Sequence, residues 1–191
     1  MAASDESLTT LLRAVSFAAR AHDGQLRKDN RTPYVAHVFR VCMVARHVFG
    51  LDDPRALAAA VLHDTLEDTR TDYDDLLELL GGLGHPVADW VAALSKDTRR
   101  EEPQREADYL AVLARAPWQV KVCKLADLYD NLLDAQGLSA EQSRRAVRRA
   151  HDALAVLRDA AFPDEEKAAG QAVHRRALAL VEQVLAAVEA G

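Results

Sequence analysis

The 191-residue chain carries 24 Lys plus Arg against 30 Asp plus Glu, a formal charge of −6, and is 49% hydrophobic, the mix of a soluble globular protein of about one domain's length. This acidic balance excludes a protein whose main work is coating nucleic acid, and no run nears the ~18 apolar residues that span a bilayer. The polar, acidic stretch Met1–Thr10 lacks the basic-then-apolar order of a secretory signal, so a cytoplasmic protein is expected, and Cys42 and Cys123, each alone in an apolar segment, read as buried free thiols.

Ala, Leu, Arg and Glu dominate and nothing alternates with period two, which predicts helices throughout. Leu8, Leu11, Leu12, Val15, Ala18 and Ala19 recur at helical spacing and place a first helix over about Glu6–His22. After the basic loop Arg27–Thr32, Thr32-Pro33 reads as a cap followed by proline, opening a helix to about Phe49 that Gly50 stops. Asp53-Pro54 repeats that signal and starts an Ala-rich helix expected to run to about Asp68, and Thr71–Asp74 has the spacing of a capping box for a short helix ending at Gly81-Gly82.

Helices over about Pro86–Lys96 and Glu102–Ala114 follow, parted by the charged stretch Asp97–Pro103, a loop or a lid. Pro117 opens a helix through Asn131, Ser139–Gln142 is a capping box for a helix to about Asp159, and Pro163-Asp164 introduces the last, to about Ala190. The expectation is an all-α bundle of about eight to ten helices in one domain, residues 1–191, of which about 8–135 is the core that the family resemblance described below implies. Helices 139–190, rich in Ala, Leu, Val and alternating charge, complete the bundle or form a homodimer interface.

Chemistry concentrates in Val61-Leu62-His63-Asp64-Thr65-Leu66-Glu67-Asp68-Thr69, where four ionisable residues follow an apolar run. On an unbroken helix His63, Asp64, Glu67 and Asp68 share one broad face, where like charges repel and call for a cation. An imidazole beside carboxylates suits a divalent transition metal; a solvated helix end beside a core histidine is the competing reading. His37 on an otherwise apolar helix and Asp127 in Lys121-Val122-Cys123-Lys124-Leu125-Ala126-Asp127 strengthen the metal reading.

Together this pattern resembles the HD superfamily of metal-dependent phosphohydrolases, with a distant His, a His-Asp dyad and a later Asp falling on His37, His63, Asp64 and Asp127. It is closer still to the hydrolase domain of RelA/SpoT homologues and the stand-alone small alarmone hydrolases. The residues that carry this are Ala21-His22-Asp23-Gly24-Gln25-Leu26-Arg27-Lys28, Pro33-Tyr34 with His37, the His63–Thr69 segment, Leu94-Ser95-Lys96, and Lys124-Leu125-Ala126-Asp127 with Asn131.

The resemblance implies an HD-domain bundle in which His37, His63, Asp64 and Asp127 hold one divalent metal, typically Mn2+. It implies a nucleotide substrate, guanosine tetra- or pentaphosphate, (p)ppGpp, whose 3′-pyrophosphate is hydrolysed to give GDP or GTP. Glu67 and Asp68, one turn past the dyad, are placed to orient or deprotonate water, the choice between them staying open. Arg27, Lys28, Asn131, Tyr34 and Lys124 are the expected substrate contacts, with Tyr34 either packing on substrate or sealing the core.

Leu128 stands where the family generally has Lys or Arg, and Val38 where proline is frequent. No block resembling the alarmone synthetase follows, so a hydrolase without the opposing activity is expected. The alternatives are an HD phosphohydrolase acting on another nucleotide, such as the 2′-phosphate of NADPH or a nucleoside polyphosphate, and a non-catalytic nucleotide-binding module.

Overall fold

The structure, a computed structural model, describes residues 3–190; Met1, Ala2 and Gly191 lie outside it. It is all-α, as expected, with ten α-helices among the described residues: α1 (Ala3–Ala21), α2 (Val35–Met43), α3 (Pro54–Leu62), α4 (Thr65–Asp68), α5 (Tyr73–Leu80), α6 (Gly84–Leu94), α7 (Glu102–Arg115), α8 (Trp118–Ala135), α9 (Ala140–Leu157) and α10 (Lys167–Ala190). A π-helical turn, Val44–Phe49, extends α2 and ends at Gly50, whose φ of 88° is open to glycine at no steric cost.

The expected caps hold at two places. Asp53 accepts the Arg55 N–H ahead of Pro54, and Ser139 and Gln142 form a reciprocal capping box at the head of α9. Two others move. The box on α5 pairs Asp72 with Asp75, one residue beyond the Thr71–Asp74 expectation. Thr32-Pro33 does not open α2, because the Thr32 hydroxyl donates to Asp29 and Pro33 pairs with Leu26 in a single β-bridge, so the helix begins at Val35.

The predicted continuous helix to Asp68 also divides. His63 Nδ1 donates to Ala60 O and the Thr65 hydroxyl to Leu62 O, and Asp64 sits at φ −97°, ψ −3°, so the chain turns between α3 and α4. Every residue from Ala56 to Leu62 is buried, which makes α3 a core helix that ends where the ionisable residues begin.

α8 runs through the middle of the molecule, packed by α2, α3, α9 and α10. The core spans Val38, Val41, Phe49, Leu57, Val61, Leu62, Val91, Leu125 and Leu132 and extends to Leu154, Leu157, Val181 and Leu185 of the last two helices. α10 approaches so closely that a Cβ on Gly170 would lie 2.9 Å from the Phe162 ring. Cys42 and Cys123 are free and buried, as expected. No helix of the described residues is long and apolar enough to cross a membrane.

Lys121 lies on the buried side of α8, where its ammonium donates to Ala114 O at the end of α7 and to Val156 O and Asp159 O at the end of α9. It therefore ties the ends of α7 and α9 to α8. Lys121→Met leaves three carbonyls without this donor, so urea unfolding should show a loss of about 1–3 kcal/mol, with metal binding unchanged.

Candidate metal centre and cavity

α2, the α3–α4 junction and α8 converge on the four predicted ligands. His37, His63 and Asp64 each offer a ligand atom within 4.8 Å of the others. Asp127 joins them, its Oδ1 lying 3.2 Å from His37 Nε2 and 3.7 Å from His63 Nε2. Asp64 Oδ2 is 3.5 Å from His37 Nε2 and 2.9 Å from His63 Nε2. His37, His63 and Asp127 are buried and Asp64 is partly buried.

The tautomers follow from what lies behind each ring. His37 Nδ1 donates to Asp130 Oδ2 at 2.7 Å and His63 Nδ1 to Ala60 O at 2.9 Å, so both Nε2 atoms face the carboxylates. His63 Nε2, though close to Asp64, makes no aligned hydrogen bond and is one of three buried side-chain polar atoms without a partner among the described residues. Two imidazole nitrogens and two carboxylates aimed at one point, one of them orphaned, fit a divalent cation well.

The remaining hydrogen bonds hold the carboxylates still. Asp127 accepts from Lys124 Nζ at 2.6 Å and from Asn131 Nδ2 at 2.5 Å. The single proton of the Tyr34 hydroxyl is shared between Asp64 Oδ2 at 2.7 Å and Asp68 Oδ2 at 3.0 Å, and its ring stacks on His22. Tyr34, Lys124 and Asn131, expected as substrate contacts, are thus engaged with Asp64 and Asp127, although all three also line the cavity.

That cavity encloses about 360 Å³, within the range of small-molecule sites. Asp64, Glu67 and Asp68 reach it from the α3–α4 corner with His63 beneath them, so the shared face exists without a continuous helix. Glu67 Oε2 accepts the Lys96 N–H at 2.9 Å, leaving Oε1 without a protein partner. Burial raises the carboxyl groups of both Glu67 and Asp68, helped by the charge of Asp64.

Arg27 lines the cavity while bonded to Asp134 and Asn131. Lys28 has no carboxylate partner among the described residues; desolvation and repulsion from Arg27, Arg149 and Arg145 lower its pKa. Arg145 and Arg149 of α9 also line the cavity unpaired, and the sequence reading, which gave α9 only to packing or dimerisation, missed them. Their i, i+4 spacing was the available signal. Also missed was Tyr109, on the cavity wall beneath Lys96 and Lys124 with an unpartnered hydroxyl. No residue from 97 to 103 lines the cavity.

Burial works against charge on both imidazoles, yet Asp127, Asp130 and Asp64 raise His37 to about 9, and Asp64 and Asp127 raise His63 to about 10. Burial would raise Asp64 and Asp127 too, but the imidazoles, with Lys124 beside Asp127, hold both well below the usual carboxylate range. Without metal, the imidazoles' contribution to stability is complete below their ordinary 6.5 and lost as pH rises through about 9 to 10. The carboxylates' contribution is present above 3.8 and lost on acidification below it. Calorimetry of manganese binding to the chelator-treated protein at about pH 7, in buffers of differing ionisation enthalpy, should therefore show roughly two protons released per site. No release accompanying binding would mean that the imidazoles are already neutral in the metal-free protein.

A family model described as HD domain matches residues 14–161. The Danio rerio protein named guanosine-3′,5′-bis(diphosphate) 3′-pyrophosphohydrolase MESH1 is 32% identical over 167 residues, covering 84% of this chain and 91% of its own. The Homo sapiens protein of that name is 36% identical over 132 residues, covering 69% and 72%. A solved structure described as a metazoan orthologue of SpoT that hydrolyses ppGpp superposes with a TM-score of 0.74 at 27% identity, over 91% of this chain and 94% of that one. The ligand geometry and the reach of the match lead to one conclusion: the chain belongs to the HD domain family.

Proposed function

We propose that this chain hydrolyses the 3′-pyrophosphate of guanosine tetra- or pentaphosphate, adding water across the bond between the 3′ oxygen and the diphosphate to give GDP or GTP and pyrophosphate. The observation that carries this is the convergence of His37, His63, Asp64 and Asp127 at a cavity that also gathers cations without carboxylate partners. The relatives named for this reaction supply the substrate.

His37, His63, Asp64 and Asp127 would hold one divalent ion, proposed to be manganese. When bound, it supplies Lewis acidity toward a phosphate oxygen and lowers the pKa of bound water. Glu67 and Asp68 each keep one oxygen free of protein partners while the other is fixed, by the Lys96 N–H and the Tyr34 hydroxyl. Either is placed to take a proton from the attacking water, and burial makes both better bases. Lys28, Arg145 and Arg149 are the cations free to hold phosphate oxygens, and the Tyr109 hydroxyl adds a neutral donor. Arg27 and Asn131 reach the same space from their places beside Asp134 and Asp127.

The test is release of pyrophosphate and GDP from guanosine tetraphosphate with manganese or chelator, beside NADPH and ordinary nucleoside triphosphates at equal concentration. Manganese-dependent release from the tetraphosphate is expected. Phosphate from NADPH instead would keep the metal site and overturn the substrate. His63→Ala should lose metal and turnover together, whereas Glu67→Gln should keep metal and lose on the order of 10²–10⁴ in rate.

A further inference from the structure

The face that α8 turns toward α2 carries Asp127, Asp130, Asn131 and Asp134, at i, i+3, i+4 and i+7. Of these, the metal reading uses Asp127 as a ligand and Asn131 as a substrate contact. Asp130 is 3% exposed, and a carboxylate taken so far out of water must be fully paired. Arg40 grips it as a fork, Nε to Oδ1 at 2.5 Å and Nη2 to Oδ2 at 2.8 Å, and His37 Nδ1 takes the remaining approach at 2.7 Å.

The chain of bonds then continues to Asp127. Arg40 Nη2 also donates to Asp134, at 3.1 Å to Oδ2, and Asp134 Oδ2 accepts from Arg27 Nη2 at 2.9 Å. Arg27 Nη2 donates to Asn131 Oδ1 at 2.9 Å, Asn131 donates to Asp127, and Asp127 lies 3.2 Å from the other nitrogen of His37. Seven residues on α2, on α8 and in the loop before α2 thus lie on one connected path, with the two proposed ligands His37 and Asp127 at its ends.

The two imidazoles are set by different means. His63 rests on a neutral carbonyl, Ala60 O, whereas His37 rests on a full negative charge. A carboxylate behind an imidazole fixes its tautomer and strengthens it as a ligand, and losing such a partner typically weakens metal binding about 10–100-fold. Resting on the metal reading above, we infer that Asp130, gripped by Arg40, is a positioning residue for the metal centre: it fixes the aim and donor strength of His37.

The test measures manganese(II) affinity of the full chain, by the electron paramagnetic resonance signal of the free ion, and thermal unfolding with chelator. Asp130→Asn keeps an acceptor oxygen and removes the charge, so it should bind manganese about 10–100-fold more weakly while its chelated melting temperature stays close to the parent's. Arg40→Gln, at a more exposed site, should weaken binding less, and it carries the test if Asp130→Asn does not fold. The double variant should bind no worse than Asp130→Asn alone, because both act through His37.

Parent-like affinity in Asp130→Asn, or additive losses in the double variant, would overturn the inference. So would a loss of affinity matched by a fall in chelated stability, which would make the pair only a strut between α2 and α8. A parent chain that binds no manganese would overturn the metal reading itself and this inference with it.

Discussion

Two imidazoles and two carboxylates are held within a few ångströms of one another inside a helical core, and the polar architecture of the molecule answers to that burial. Each group left alone would be expensive to take out of water. Each is therefore given a partner on its far side: Ala60 O and Asp130 for the histidines, Tyr34 for Asp64, and Lys124 with Asn131 for Asp127. These tethers come from α3, α8 and the residue ahead of α2, and the groups they hold sit on α2, the α3–α4 corner and α8, so the cluster also fixes how those elements meet. The turn at His63–Asp64 belongs to the same arrangement, since a helix continued through it would not free His63 Nδ1 to meet Ala60 O in this way.

Much of this was legible in the amino-acid order. Apolar residues at helical spacing, broken by Pro, Gly and Asp or Ser caps, marked nearly every helix, and His37, His63, Asp64 and Asp127 were separable because each follows or interrupts an apolar run. What stayed hidden lies where polar faces of separate helices meet. Nothing local in Asp130 or Arg40 says that they pair across α2 and α8, and nothing in Tyr109 says that its hydroxyl stands unpartnered at a cavity. The Thr32 cap failed for a related reason: Thr32 is held in the preceding loop by Asp29, at 2.6 Å, and by the Leu26–Pro33 bridge, so no side-chain oxygen accepts from the first N–H groups of α2.

Charge is distributed unevenly for a chain with a net charge of −6. Arg55, Arg99, Arg100 and Arg158 each lie beside a carboxylate on the surface, and such exposed pairs contribute little to stability. Lys28, Arg145 and Arg149 have none among the described residues and line the same cavity as Asp64, Glu67, Asp68 and Asp127. Cations without carboxylate partners are the ones free to meet an anion, so an acidic protein can still hold one beside its own carboxylates.

α9 is held like a lever. Its buried residues, Ala150, Ala153, Leu154 and Leu157, all lie in its second half, and Lys121 grips the carbonyls at that end. Arg145 and Arg149 stand at or before the start of that fulcrum. The turn between α8 and α9, residues 136–139, therefore joins these cations directly to the helix that carries Asp127 and Asn131. A change in the length of that turn would move Arg145 and Arg149 relative to His37, His63 and Asp64, which sit on other elements, and so alter the spacing between the basic residues and the His–Asp cluster.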